Sequence, residues 1–178
     1  MKAPEEVGTD RLLLRRPREA DAHEIFRRYA SDAEVTRYVG FRAHVSIDDA
    51  RSFIEMSNAE WDRWGAGPYL LRLRSDASLI GGTGLHLETP LRAMTGYVLA
   101  RDSWGKGYAT ETVKAIIEIA RAKRIQRLYA ICHTEHAASV HVLEKCGLIR
   151  EGILRSYMEF PNLSPGHASD VYCYALVL

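Results

Sequence analysis

Apolar and polar positions follow two different periods along this chain, and the change of period separates strands from helices. Apolar runs rich in branched and aromatic residues predict strands at residues 12–14, 69–74, 79–87, 95–100, 128–133, 148–157 and 171–178. Apolar residues three and four positions apart predict helices at residues 21–30, 47–64, 109–123 and 137–146. Asp21 with Glu24, and Ser46 with Asp49, have the spacing of a capping box at the start of the first two helices.

The order of these segments predicts an α/β fold. Residues 95–133 have the strand, helix and strand of a parallel crossover, whereas the other strands lie close enough in sequence to pair antiparallel. We therefore expect a mixed, mostly antiparallel twisted sheet of six to seven strands with helices on both faces. No repeat or linker divides the sequence, so residues 1–178 are expected to form a single domain.

A short glycine turn joins the strand at 97–100 to the following helix. Gly105 and Gly107 can adopt backbone angles that are closed to other residues, and they let main-chain N–H groups approach a ligand closely. The unpaired N–H groups and the positive end of the helix dipole lie beside this turn, which favours phosphate. We interpret the turn as a pyrophosphate-binding loop.

Three other kinds of loop have a related glycine pattern. A nucleotide P-loop is excluded because no Gly-x4-Gly-Lys-Ser/Thr occurs. A dinucleotide-binding turn fits the crossover but has Thr110 at the third glycine position and no acidic residue after the next strand. A simple strand-to-helix turn, in which glycine serves geometry alone, stays open.

The residues around the turn resemble a known family. The run Trp104-Gly-Lys-Gly-Tyr-Ala-Thr-Glu111 resembles the acetyl-CoA pyrophosphate loop of the GNAT N-acetyltransferases, especially the branch that acetylates the N-terminal alanine or serine of ribosomal proteins. The resemblance covers nearly the whole chain and implies a GNAT-like sheet. Further matches follow in the family's order: Arg11-Leu-Leu-Leu-Arg15, Ile80-Gly-Gly82, Gly96-Tyr97, Ala138-Ser139, Glu144-Lys-Cys-Gly147 and Asp170-Val-Tyr172.

This resemblance implies acetyl-CoA as co-substrate. A backbone N–H near Leu99 is implied to pair with the thioester carbonyl oxygen. The implied CoA-binding residues are Val98, Leu99, Trp104, Gly105, Lys106, Gly107, Tyr108, Ala109, Thr110, His136 and Ser139.

The sequence also departs from the family's pattern. Trp104 replaces a Gln or Arg of the wider superfamily, and His136 replaces an Asn. Met94 stands where a Glu commonly precedes the Gly-Tyr pair, and Leu143 stands where many members have a Tyr acid. The groups that move protons therefore do not follow from the resemblance.

Three residues are candidates for proton transfer. Ser139 shares a helical face with apolar residues, so its hydroxyl is expected to point inward and to reach a leaving thiolate. A hydroxyl bonded to a carbonyl of its own helix is an equally good interpretation. His86 and Glu88 lie two positions apart on one strand, so both are expected on one face as acceptors of the amine proton.

The acceptor side is expected at the segment between the first two helices. Tyr38, Phe41 and Arg42 flank a glycine there, and such a segment can fold over an elongated amine. We predict that these three residues bind the acceptor, which is a small-molecule amine or a protein N-terminus.

Composition narrows the remaining alternatives. A net charge of +1 indicates neither nucleic acid nor an anionic membrane as partner. His133, His136 and His141 fall on separate elements, so no metal site is expected, and Cys132, Cys146 and Cys173 lack ligand or redox spacing and are expected to be buried reduced thiols. We expect a cytoplasmic monomer or homodimer, without export signal or membrane span.

Two functions from different classes fit these patterns. The first is direct acetyl transfer from acetyl-CoA to a primary amine in a ternary complex. The alternative is a non-catalytic acyl-CoA-binding sensor or interaction module. The Glu and Tyr that Met94 and Leu143 replace favour this alternative by their absence, whereas an inward Ser139 favours the enzyme.

Overall fold

A computed structural model describes residues 2–178 and shows one eight-stranded sheet with helices on both faces. The strands are β1 (Glu6–Gly8), β2 (Leu12–Arg15), β3 (Pro68–Leu73), β4 (Leu79–Thr89), β5 (Arg92–Leu99), β6 (Arg127–His133), β7 (Ile149–Glu159) and β8 (Ala168–Val177). The helices are α1 (Ala22–Ile25), α2 (Ile47–Trp64), α3 (Tyr108–Ala122) and α4 (Ala137–Lys145). A 3-10 turn (Glu19–Asp21) precedes α1, a π-helix (Phe26–Ala30) continues it, and a second 3-10 turn (Arg101–Ser103) follows β5.

The sheet is antiparallel except at its centre. The strand order is β1-β2-β3-β4-β5-β6-β8-β7, and β5 with β6 is the parallel pair. The helix α3 forms the crossover between them, as the sequence predicts. The mixed, mostly antiparallel architecture is therefore confirmed.

Two apolar cores lie on opposite faces of the sheet. One core, here called the α3 core, includes Val113 and Ile116 of α3 and Leu143 of α4. The other, the α2 core, includes Ile25 of α1 and Ile54 of α2. Neighbouring residues of one strand alternate between the two cores, as Leu71 and Leu70 do.

The two halves of the sheet separate beyond a short central contact. β5 pairs with β6 only at Arg92–Met94 with Arg127–Tyr129. β5 continues alongside β4 to Leu99, and β6 continues alongside β8 to His133. The strands thus diverge toward their C-terminal ends, and we call the space between them the β5–β6 gap.

Several sequence-based expectations differ in detail. The sheet has eight strands instead of six to seven because β1, a three-residue strand with one apolar residue, gives no periodic signal. The Asp21–Glu24 box is wrong: the Asp21 carboxylate instead accepts the Arg18 N–H at 2.7 Å and contacts Arg15 at 2.7 Å. The Ser46–Asp49 box is confirmed.

Two further findings concern cysteines and membranes. Cys132 is buried as expected, whereas Cys146 and Cys173 are half-buried, and all three are free. Among residues 2–178, no helix combines the length and the apolar character that a membrane span requires.

Candidate active site

The glycine loop has the backbone geometry that the sequence predicts. Gly105 and Gly107 have φ angles of 72° and 79°, in the left-handed region that favours glycine. Gly107 is the N-cap of α3, and its carbonyl accepts the Glu111 N–H at 3.1 Å. The N–H groups of the three residues between them have no acceptor within the helix. This exposed loop therefore presents main-chain donors at the positive end of a fifteen-residue helix.

A side-chain clamp from the N-terminal hairpin holds this loop. Arg11 donates from Nη1 to the Lys106 carbonyl at 2.9 Å and from Nε to the Glu111 carboxylate at 2.7 Å. Its guanidinium carbon lies 4.6 Å from the centroid of the Tyr108 ring. Thr9 donates its hydroxyl to Glu111 at 2.6 Å. The Glu111 side chain is only 16% exposed because it is part of this clamp.

The clamp also fixes the charge state of Glu111. Burial alone would raise the pKa of this carboxyl, but the hydrogen bonds from Thr9 and Arg11 outweigh it and lower the pKa below its usual value. A lowered folded-state pKa means that the clamp stabilises the fold fully at neutral pH. Its contribution is lost only as the pH falls through that lowered pKa.

We expect Glu111→Gln to weaken CoA binding about fivefold while the chain stays folded, because one charge-assisted hydrogen bond contributes roughly 1.5 kcal/mol and partial exposure reduces this. Isothermal titration calorimetry with CoA measures the effect. Glu118→Gln is the matched control, since Glu118 is an exposed residue of the same helix and pairs only with Arg121. Equal affinities of the two variants would contradict the clamp.

Trp104 connects the loop to the end of β5. Its indole Nε1 donates to the Leu99 carbonyl at 2.7 Å, although 42% of the residue is exposed. The Leu99 side chain packs in the α3 core, and Val98 packs against the α2 core. Trp104 therefore links the implied CoA-binding residues of β5 to those of the loop. Lys106 takes part in the clamp through its carbonyl.

Ser139 lies across the β5–β6 gap from Tyr97. The residue is 8% exposed, so its hydroxyl points inward as predicted. Tyr97 donates its hydroxyl to Ser139 Oγ at 3.4 Å. Burial raises the pKa of Tyr97 to about 12, so this phenol is protonated at neutral pH. Sequence reasoning missed Tyr97 as a functional residue, because its partner is 42 positions away.

The segment between the first two helices lies against α4 and the loop after β7. Tyr38 stacks on His136 with ring centroids 4.6 Å apart and also contacts His133 at 5.3 Å. Burial and the neighbouring His133 lower the pKa of His136, which favours its neutral form. Phe41 and Arg42 are exposed. The structure thus brings Tyr38, one of the three predicted acceptor residues, to the implied cofactor residue His136.

Asn162 holds this segment in place through three hydrogen bonds. Its side-chain oxygen accepts the Ala43 N–H at 2.8 Å, and its amide nitrogen donates to the carbonyls of Thr36 and Phe41, each at 2.8 Å. We call residues 36–43 with Asn162 the acceptor strap. Nothing in the local sequence indicates these contacts, which join residues more than a hundred positions apart.

Glu88 and His86 have different surroundings. A register shift between Leu87 and Thr89 interrupts the alternation of β4 at Glu88, whose carboxylate pairs with Arg92 at 2.7 Å and accepts the Tyr129 hydroxyl at 2.5 Å. Glu88 therefore lies at the closed end of the β5–β6 gap, and the structure does not bring it to Ser139. Tyr129 and Arg92 share the face of Met94, the strand partner of His86, so Glu88 and His86 lie on one face as expected although the bulge interrupts the alternation.

No metal-binding arrangement was found. Within residues 2–178, no group of three or more His, Cys, Asp or Glu side chains is placed to hold a metal ion.

Comparison with known proteins identifies the family. The acetyltransferase (GNAT) domain family matches residues 11–149. YoaA of Bacillus subtilis, an uncharacterized N-acetyltransferase, is 34% identical over 174 residues, which are 93% of this chain and 94% of that protein.

Solved structures show the same fold. The microcin C7 self-immunity acetyltransferase MccE, in complex with acetyl-CoA and AMP, has a TM-score of 0.85 at 22% identity and covers 96% of this chain and 94% of its own. The ribosomal alpha-N-protein acetyltransferase RimL, in complex with coenzyme A, has a TM-score of 0.84 at 20% identity, with 98% of each chain covered. The chain therefore belongs to the GNAT family of acetyl-CoA-dependent N-acetyltransferases.

Proposed function

We propose that this protein transfers the acetyl group of acetyl-CoA directly to a primary amine in a ternary complex. The observation that carries this proposal is the β5–β6 gap, which leads from the glycine loop to the Tyr97–Ser139 pair. Backbone groups of Val98, Leu99 and residues 104–110 would hold the cofactor, whose pyrophosphate fits the N–H donors of α3. CoA supplies an activated acetyl thioester, and the residues of this chain position it and move protons.

The Tyr97–Ser139 pair supports the acid step. When an amine attacks the thioester carbonyl, the C–S bond breaks and the sulfur leaves as a thiolate that needs a proton. Ser139 accepts a hydrogen bond from Tyr97, so its own hydroxyl hydrogen is available for the sulfur. Tyr97 can then restore the proton to Ser139 Oγ. This arrangement takes the place of the Tyr acid that is absent at Leu143, which is buried in the α3 core.

The acceptor strap supports an amine that reaches the gap beside Tyr38. Of the two structural neighbours, MccE was solved with AMP beside acetyl-CoA, and RimL is an acetyltransferase of a ribosomal protein. Arg42 is an exposed cation on the strap, so it favours an acceptor with a carbonyl or carboxylate over a polycation. We therefore propose peptide N-termini or aminoacyl compounds as acceptors.

Arg42→Glu is expected to lower kcat/KM for a peptide acceptor about fivefold and to raise it for a polyamine by a similar factor, since exposed charge pairs contribute up to about 1 kcal/mol. Arg27→Glu, at an exposed cation of the preceding helical segment, is the matched control. Steady-state rates with a serine-terminated peptide and with spermidine measure the change. An unaltered preference combined with a lower melting temperature would assign Arg42 to stability.

A panel of amines separates the enzyme from the non-catalytic alternative. The panel contains peptides with N-terminal serine or alanine, an aminoacyl nucleotide and spermidine, each incubated with acetyl-CoA. Mass spectrometry of the acceptor and thiol release report transfer. CoA binding with no acetylated product across the panel would favour the sensor or interaction module.

A further inference from the structure

His86, one of the predicted proton acceptors, forms a side-chain pair with Glu60 beside the β5–β6 gap on the α2 face. His86 of β4 places its Nδ1 3.0 Å from both carboxylate oxygens of Glu60 on α2. The histidine side chain is 38% exposed and that of Glu60 is 23% exposed. His86 is the cross-strand partner of Met94, where β5 and β6 still touch. The pair therefore lies at the point where the gap begins.

The imidazole ring is turned along the sheet toward the open part of the gap. A Cβ atom built on Gly84 would lie 2.4 Å from Nε2 of His86, so the ring covers Gly84 and requires glycine there. Gly84 pairs with Gly96 of β5, where an added Cβ would meet nothing within 4 Å. Nε2 thus faces an open space over Gly96. The next residue, Tyr97, holds Ser139.

His86 and Ser139 serve opposite faces of the sheet. Successive side chains of β5 alternate, so Tyr97 packs in the α3 core and Val98 packs against the α2 core. His86 contacts Glu60 of α2 and therefore belongs to the face of Gly96 and Val98. A thioester held in the gap would receive the amine from the α2 face and release the sulfur toward the α3 face.

We propose that His86, oriented by Glu60, takes the proton of the acceptor ammonium. This inference rests on the proposed function. Glu60 accepts Nδ1–H, which leaves the lone pair on Nε2 over Gly96. The ammonium gives one proton to Nε2, and the neutral amine then forms the N–C bond while the C–S bond breaks. His86 returns this proton to solvent and then accepts the second proton, which the nitrogen loses as the amide forms. The sulfur takes its proton from Ser139, which is restored through Tyr97 from solvent. Glu60 is a positioning residue in this scheme.

The surroundings of His86 leave Glu60 as its charged partner. Residues 64–68, which pass along one side, and Met94 on the other side carry no titratable group. Glu88, two positions further on β4, is paired with Arg92 and Tyr129. The Glu60→Gln change should therefore act on the orientation and tautomer of the His86 ring.

The test uses the full chain, acetyl-CoA and the panel amine that the wild type acetylates fastest. His86→Asn is expected to lower kcat/KM about 100-fold at neutral pH, with unchanged CoA affinity, and to remove the acid limb of the pH profile. Glu60→Gln should lower kcat/KM by a smaller factor, because a neutral side chain orients the imidazole less firmly. Glu55→Gln, at an exposed glutamate of α2, is the control. A His86→Asn profile that keeps both rate and limb would overturn the proposal.

A second measurement does not depend on turnover. Nitrogen-15 NMR of the wild-type histidines at alkaline pH should show His86 protonated on Nδ1 and not on Nε2, and Glu60→Gln should lower the fraction of this tautomer. The opposite tautomer, or a tautomer fraction that Glu60→Gln leaves unchanged, would overturn the role of this pair even if transfer to amines is found. A wild type that acetylates no panel amine while the NMR result holds would instead refute the proposed function, and with it the proton step.

Discussion

Gly107→Val is expected to reduce CoA affinity by about 100-fold or more. The φ angle of 79° at this position is closed to a β-branched residue, and a forced left-handed conformation costs roughly 1–3 kcal/mol. A valine that escapes this strain must move the loop and misalign the N–H donors of α3. A valine that stays would press on the Arg11 guanidinium of the clamp, because a Cβ atom at this position lies 3.5 Å from Arg11 Nη2. Both outcomes remove the site, and calorimetry with CoA measures the loss.

Two controls separate this effect from general destabilisation. Gly166→Val introduces the same residue at a φ angle of 77°, in open surroundings, but in the loop between β7 and β8. It should lower stability and leave CoA affinity unchanged. Lys106→Ala should change affinity far less than Gly107→Val, because Lys106 contributes its carbonyl to the clamp through Arg11. A larger effect from Lys106→Ala would show that side-chain charge, and not the backbone, binds the phosphates.

Ser139→Ala is expected to lower kcat and kcat/KM together by about 10²–10⁴-fold, with CoA affinity nearly unchanged. The hydroxyl is needed only when charge develops on the sulfur, so its loss affects the transition state and not the bound cofactor. The structure shows no bond from this hydroxyl to a carbonyl of α4 among the described residues, and its contact with Tyr97 replaces that interpretation. Pre-steady-state and steady-state kinetics with the best panel amine give both constants.

Tyr97→Phe is the companion variant. If Tyr97 restores the proton to Ser139, its removal should slow turnover by less than the loss of Ser139 itself, because water can replace the second donor. A Ser139→Ala enzyme with wild-type rates would return Ser139 to a packing role. A Tyr97→Phe enzyme slower than Ser139→Ala would make the phenol the direct acid.

The glycine loop was predictable because its causes are local. Two glycines at fixed spacing between a strand and an amphipathic helix determine the turn geometry and the position of the N–H donors. The inward orientation of Ser139 follows for the same reason, since a helix of known period fixes which residues share a face. No distant residue is needed for either inference.

The clamp and the proton-transfer groups depend on contacts across the chain. Arg11 meets Glu111 a hundred residues later, and Glu60 meets His86 only because α2 crosses β4. Neither pair has a periodic signal in the sequence. From the sequence alone, Glu111 cannot be distinguished from a solvent-exposed glutamate on the helix surface. Glu88 is a mixed case: strand alternation predicts its face, but its partners Arg92 and Tyr129 and the bulge beside it have no signal in the sequence.

The strand order of the C-terminal half has a consequence for folding. β8, the eighth strand in chain order, lies between β6 and β7 and, among the described residues, is the strand that pairs with β7. Asn162 joins the strap to the loop that precedes β8. Contacts of such long sequence separation form late, because the intervening chain must be closed first. The pairing that supports β6 at one wall of the β5–β6 gap and the fastening of the strap are therefore expected to be among the last contacts to form.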